Sequence, residues 1–240
     1  MKNKKALGSK APLDDCKIQV SKNGPYLVSA GVPILKQTII CDSEGTSFEW
    51  RVETKYPLQE KCALCRCGQS KNKPFCDGAH VKVGFDGTET AGQEEYLNEA
   101  IEIDGPAAKL TDIEVLCASA RFCHRAGGIW SLIPQSGEPE AKRIAIEEAC
   151  DCPSGRLVVW DKKAKKTIEP DFEKSIALVE DPWVGVIGPI WVRGGIPVES
   201  VEGKAYRVRN RVTLCRCGKS SNKPFCDSSH YPEQHEHEKG

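Results

Sequence analysis

The residues that could do chemistry stand in two nearly identical runs. The first holds Cys65, Cys67, Cys76 and His80, and the second holds Cys215, Cys217, Cys226 and His230. Both have the spacing C-x-C-x8-C-x3-H, and twelve of the sixteen positions are identical between them. Three sulfur donors and one imidazole at a repeated spacing point to a metal site. Structural zinc usually takes its first pair of ligands from a C-x2-4-C knuckle, and C-x-C is tighter than that. Iron–sulfur clusters use thiolates, and imidazole can replace some of them. A 2Fe–2S cluster has four terminal positions, which three Cys and one His fill. The natural division puts Cys65 and Cys67 on one iron and Cys76 and His80 on the other. The second run would divide as Cys215 with Cys217, and Cys226 with His230. Zinc is one alternative. A disulfide or buried-thiol cluster is another, although it has no use for the repeated His.

Other residues of the runs suit a supporting role. Thiolates and sulfides need hydrogen-bond donors, which Ser70, Ser220 and the amides around Gly68 and Gly218 could supply. Lys71, Lys73, Lys219 and Lys223 put positive charge nearby, or are simply solvated. Pro74 and Pro224 fix the backbone ahead of the third Cys. Asp77 and Asp227 suit the cap of a short helix carrying the His. Exchanging a thiolate for a neutral imidazole removes a negative charge, which should raise the potential. It also makes the site sensitive to acid, because protonated His cannot bind iron.

These runs resemble the CDGSH iron–sulfur domains, also called NEET proteins, whose pattern is C-x-C-x2-[ST]-x3-P-x-C-D-G-[SAT]-H. The first run matches throughout, including Ser70, Pro74, Asp77, Gly78 and Ala79. The second departs at Ser228, where the family has Gly. The resemblance implies one 2Fe–2S cluster per motif, held by the three Cys and the His, and so two clusters here.

A further constellation lies between the runs. Cys117 and Cys123 are followed, much later, by Cys150-Asp151-Cys152-Pro153-Ser154-Gly155. C-x5-C with a later Cys-Pro resembles small ferredoxins, whose bacterial run is C-x2-C-x2-C. The middle Cys of that run would fall at Ala120, which cannot ligate. The segment is most similar to the divergent single-cluster ferredoxin domains, which share the Cys-Pro-Ser-Gly ending. The ligands this resemblance implies are Cys117, Cys123 and Cys152, around a 3Fe–4S or 4Fe–4S cluster; a fourth, if there is one, could be Cys150 or His124. The bland reading is a ferredoxin-like fold with inert buried thiols; zinc is the third. Cys16, Cys41 and Cys62 read as structural thiols, although Cys62 stands at C-x2-C spacing from Cys65.

The elements that must position these donors are mostly strands. Residues 17–20 and 26–28 alternate around the turn Asn23-Gly24-Pro25, and β character continues over 32–40 and 48–52. Residues 23–34 parallel 187–198 in sequence, so the repeat is a β-plus-cluster unit rather than a ligand loop alone. The two units could pair within one chain as a pseudo-dimer. Between them, 94–100 suggests one or two helical turns, and 109–115 and 128–133 read as strands. Residues 139–149 give the clearest helix, and 156–160 with 167–168 a hairpin. The expected fold class is α+β: two small β-rich CDGSH units around a ferredoxin-like α+β middle domain. The expected division is a disordered tail at 1–15, an N-terminal CDGSH unit at 16–80, a ferredoxin-like domain at 81–182, a C-terminal CDGSH unit at 183–231 and a polar tail at 232–240.

Composition bounds the function. The 240 residues carry 34 basic and 34 acidic side chains, which gives no electrostatic support for nucleic-acid binding. Thirteen cysteines, mostly clustered near His or Pro, favour metal sites in a reducing compartment over a disulfide scaffold. No secretory signal is evident, and the longest apolar stretch, 183–192, is too short to span a bilayer. No membrane partner and a cytoplasmic location are expected. No nucleotide loop, nucleophile elbow or paired-carboxylate arrangement appears, so no enzymatic activity is expected. The leading expectation is electron transfer between redox partner proteins through two or three clusters. Storage of clusters and transfer to acceptor proteins is the second expectation, and a zinc-stabilised interaction module the third.

Overall fold

The computed structural model describes residues 13–232. The two expected tails therefore lie almost wholly outside the described residues; of the first, Leu13–Asp15 form a 3-10 turn. The N-terminal part runs through β1 (Ile18–Val20), β2 (Tyr26–Val28), β3 (Ile34–Cys41), β4 (Ser47–Lys55), β5 (Cys62–Leu64) and the short α1 (Ala79–Lys82). The middle holds α2 (Tyr96–Glu99), β6 (Ile101–Asp104), β7 (Ala108–Asp112), α3 (Ile129–Leu132), α4 (Pro139–Asp151), β8 (Leu157–Asp161) and β9 (Lys166–Ile168). The chain closes with β10 (Ser175–Asp181), β11 (Val186–Arg193), β12 (Val198–Glu199) and β13 (Arg211–Leu214). The architecture is α+β, as expected.

Among the described residues three sheets form, ordered β12-β1-β2-β5, β13-β11-β10-β3-β4 and β6-β7-β8-β9. The first two are copies of one design. In each, a strand that ends at a cluster loop (β5, β13) pairs with a strand from the parallel segments 23–34 and 187–198 (β2, β11). That strand pairs with an antiparallel neighbour (β1, β10). The fourth position is filled from the other copy: β12 runs parallel to β1, and β3 runs parallel to β10. The two halves of the repeat thus exchange strands within one chain.

The exchange begins in local backbone chemistry. Ala30 and Gly31 both have positive φ, as do Gly194 and Gly195 at the equivalent positions. Such a left-handed pair reverses the chain after β2 and after β11. A proline two residues on then opens the next strand in an extended conformation. The carbonyls of those prolines accept reciprocal bonds from the opposite half: Ile18 N–H donates to Pro197 O at 2.9 Å, and Ile176 N–H to Pro33 O at 2.9 Å. The faces of the two sheets close on one core. Ile18, Tyr26, Val28, Ile34 and Leu64 from one half meet Ile176, Ile190, Val192, Val198 and Leu214 from the other. β10 is almost continuously buried, as a strand covered on both faces should be.

The third sheet carries α3 and α4 over a separate core of Leu110, Ile129, Ile133, Ala145, Ala149, Leu157 and Val159. α4 starts with Pro139 at its first position, where the missing N–H costs nothing, and ends just before Cys152-Pro153. The strand expected over 128–133 is instead α3 followed by a 3-10 turn, Ile133–Gln135. Ile129, Leu132 and Ile133 are all buried, at the i, i+3, i+4 spacing of a helix face. Their β-like side chains mask that period. The middle docks on the second sheet through Trp50, whose ring lies 4.7 Å from Phe122 and 4.8 Å from Trp191, and whose indole N–H donates to Asp151 O at 3.0 Å.

Candidate metal centres

Each CDGSH-like loop is a small β-arch. Cys65 N–H donates to Pro74 O and Cys76 N–H to Ala63 O, both at 2.8 Å. The second loop repeats this, with Cys215 N–H to Pro224 O at 2.8 Å and Cys226 N–H to Thr213 O at 2.9 Å. These bonds flank the antiparallel bridges Leu64–Phe75 and Leu214–Phe225, which leaves the first and third Cys of each loop at diagonal positions. The peptide bonds before Pro74 and Pro224 are both cis.

The donors fall into two pairs per loop. Cys65 Sγ lies 3.8 Å from Cys67 Sγ, and Cys76 Sγ 3.3 Å from His80 Nδ1. In the second loop the separations are 3.8 Å and 3.4 Å. Two sulfurs on one tetrahedral ion, with metal–sulfur bonds of about 2.3 Å, stand about 3.8 Å apart, and a sulfur and a nitrogen about 3.6 Å. Each pair therefore has the bite of two ligands on one ion. Among the described residues, no three or more His, Cys, Asp or Glu side chains close around a single point.

Backbone amides, not hydroxyls, face the sulfurs. Gly78 N–H donates to Cys76 Sγ and Lys219 N–H to Cys217 Sγ, both at 3.4 Å. Ser70 and Ser220, expected to donate to the thiolates, instead brace the loop. Each hydroxyl donates to a phenylalanine carbonyl (Phe75, Phe225) at 2.7 Å and accepts an asparagine N–H (Asn72, Asn222) at 3.0 Å. Lys73 and Lys223 fold back onto Ser70 O and Ser220 O. Asp77 accepts Ala79 N–H at 3.0 Å at the start of α1, and Lys71 N–H at 2.8 Å; these bonds hold its carboxyl below the usual range. Asp227 sits over a turn rather than a helix. Burial pushes its carboxyl up, but bonds from Ser221 and Ser229 prevail and bring it to about 2.

Two residues that sequence reasoning missed lie behind the loops. Arg66 and Arg216, the x of each C-x-C, are almost fully buried. Arg66 donates to Gly87 O at 2.6 Å and lies 5.5 Å from the Tyr26 ring centroid. Arg216 pairs with Glu180 at 3.1 Å. Their identity in both repeats was the available signal. Each puts a fixed positive charge one residue from two thiolates.

The loops also touch. A Cβ on Gly68 would lie 2.7 Å from Cys217 O, and one on Gly218 3.0 Å from Cys67 O. Both glycines have positive φ. The contact is reciprocal, as the repeat's pseudo-twofold demands.

The middle cysteines line a cavity of about 1130 Å³. Cys117, Cys123 and Cys152 all face it, with His124 beside them. Cys150, on the last turn of α4, is not among its lining residues. Burial pushes the Cys123 thiol up to about 12, and the nearby Cys152 and Cys117 add to it. Ser119 N–H donates to Cys117 Sγ at 3.4 Å. The donor chemistry suits an iron–sulfur group. Cys62 stays apart, its thiol raised to about 11 by burial. The same cavity is lined by Ser228 and His230 of the second loop.

Comparison with known families finds matches to the outer and the middle parts of the chain. A family described as "Iron-binding zinc finger CDGSH type" matches residues 23–81 and 187–231. One described as "Divergent 4Fe-4S mono-cluster" matches residues 103–162. Neither a curated protein nor a solved structure matches the chain. No helix among the described residues is long and apolar enough to cross a membrane. The chain is an iron–sulfur protein in which two segments of the CDGSH family flank one of the divergent mono-cluster type.

Proposed function

We propose that each CDGSH loop holds a 2Fe–2S cluster through three Cys and one His, and that the protein transfers single electrons between partner proteins. The observation that carries this reading is the duplicate pairing of the donors. Cys65 with Cys67, and Cys76 with His80, each have the separation of two ligands on one tetrahedral ion, and Cys215 with Cys217, and Cys226 with His230, have the same. Two adjacent pairs suit two metal ions side by side better than one. The middle cavity would hold a 3Fe–4S or 4Fe–4S cluster on Cys117, Cys123 and Cys152, with His124 facing the same space. Such groups, when bound, accept and release one electron at a time.

The chain's own part is to position and tune. Amides from Gly78 and Lys219 stabilise thiolate charge, and Arg66 and Arg216 favour a more negative centre from behind. The protein acts without catalysing a bond change of its own, in a reducing compartment such as the cytoplasm. A second reading is delivery of clusters to acceptor proteins. It is favoured by the open edge of the N-terminal site, where Cys76 and His80 are partly exposed and the adjoining Val81 is 75% exposed.

Iron, acid-labile sulfide and zinc per chain, on protein purified without oxygen, test the assignment. About seven or eight irons with matching sulfide are expected, four of them lost when Cys76 and Cys226 are both replaced by Ala. Two or three zincs with little iron would sink the redox reading and leave a structural module. Given clusters, reversible potentials without transfer to an apo-ferredoxin separate electron transfer from delivery.

A further inference from the structure

The two CDGSH loops share their local bonds, but their surroundings differ. At position 228 the second repeat has Ser where the first has Gly78. Ser228 takes the same left-handed backbone as Gly78, with φ of 74° against 85°. A side chain there is disfavoured, so a compensating contact is to be expected. The Ser228 hydroxyl supplies it by donating to Cys117 O at 2.8 Å. A Cβ on Gly78 would meet nothing within 4 Å.

A second bridge repeats the contrast. Arg211, four residues before Cys215, is 2% exposed, and its Nε donates to Cys152 O at 2.7 Å. Its Nη2 donates to Ala149 O at 2.7 Å, at the carboxyl end of α4. The matching residue of the first repeat is Lys61, which is exposed. Two of the three middle cysteines thus have their own carbonyls held by side chains of the C-terminal unit. Neither bond has a counterpart in the N-terminal unit. The cavity completes the picture, because Cys117, Cys123 and Cys152 open into the same space as Ser228 and His230.

We propose that the middle donor set and the C-terminal set form one coupled two-centre unit, held in register by Ser228 and Arg211, with the N-terminal set outside it. Ser228 is a positioning residue: its hydroxyl ties one site's ligand loop to the other's, while only its backbone amide faces the Cys226 sulfur. This inference rests on the cluster assignment above and adds the pairing. It also separates the roles of two nearly identical motifs. The C-terminal site faces the middle of the molecule, and the N-terminal site faces outward.

The test is electron paramagnetic resonance on the anaerobic full chain during stepwise reduction, with iron counted on the same samples. The expected result is that one CDGSH signal broadens and relaxes several-fold faster once the middle centre becomes paramagnetic, while the other does not change. Ser228→Gly, which restores the residue of the first repeat, should weaken that interaction with the iron content intact. Gly78→Ser should leave it unaltered. With seven or eight irons present, two CDGSH signals that relax alike and ignore the middle centre would overturn the pairing while leaving the cluster assignment standing. An unchanged interaction in Ser228→Gly would overturn the role of Ser228. About four irons would overturn both, because the middle centre would not exist.

Discussion

Arg66 shows how a single side chain can anchor a ligand loop from behind. The residue is 1% exposed, and its guanidinium donates to Gly87 O and lies near the Tyr26 and Phe85 rings. Arg66→Met keeps the bulk but leaves that carbonyl unpaired. It should cost about 2–3 kcal/mol in denaturant unfolding, near the upper range for a hydrogen bond to a charged group. It should also lower the reduction potential of the N-terminal centre, because a fixed positive charge is lost beside a group that becomes more negative on reduction. Ser220 tests the opposite kind of role. Its hydroxyl makes two loop bonds and none to sulfur, so Ser220→Ala should destabilise by about 1–3 kcal/mol while shifting the potential little. A potential shift with no loss of stability would contradict the bracing role.

At the scale of elements, the two ligand loops meet at Gly68 and Gly218. Gly68→Ala sets a Cβ 2.7 Å from Cys217 O at a φ of +74°. The left-handed conformation alone costs about 1–2 kcal/mol, and the backbone contact adds to it. The expected outcome is a lower melting temperature and disturbed spectra at both CDGSH centres, although only one loop was changed. A disturbance confined to the N-terminal centre would show that the contact is passive. The loops themselves were legible in the sequence, because ligand types at fixed spacing need no tertiary information. So were β1, β2 and the β8–β9 hairpin, whose alternation and turn residues are local. α3 was not, because Ile129, Trp130, Leu132 and Ile133 read as strand until α4 supplies a partner. The hydroxyl roles of Ser70 and Ser220 were hidden as well, since the bonds depend on a loop geometry that spacing alone does not give. Arg211 and Ser228 act on residues 59 and 111 positions away, a distance no local pattern can report.

For the whole molecule, the exchanged strands decide what can fold alone. A chain ending after residue 86 would keep β1 without β12 and β3 without β10. Such a fragment should be poorly dispersed in amide NMR spectra, and should gain native dispersion only when the remaining chain is supplied. A well-dispersed spectrum of the isolated fragment would show that the halves fold independently.

The same exchange has a mechanical consequence. Both outer ends of the described chain lead into the interlocked sheets, while the middle unit is spliced in between β5 and β10. A force applied to those ends loads the interlocked body first and reaches the middle unit only after that body gives way. In a single-molecule pulling trace, the two CDGSH halves should therefore rupture together in one event. The extension of the middle unit should follow it.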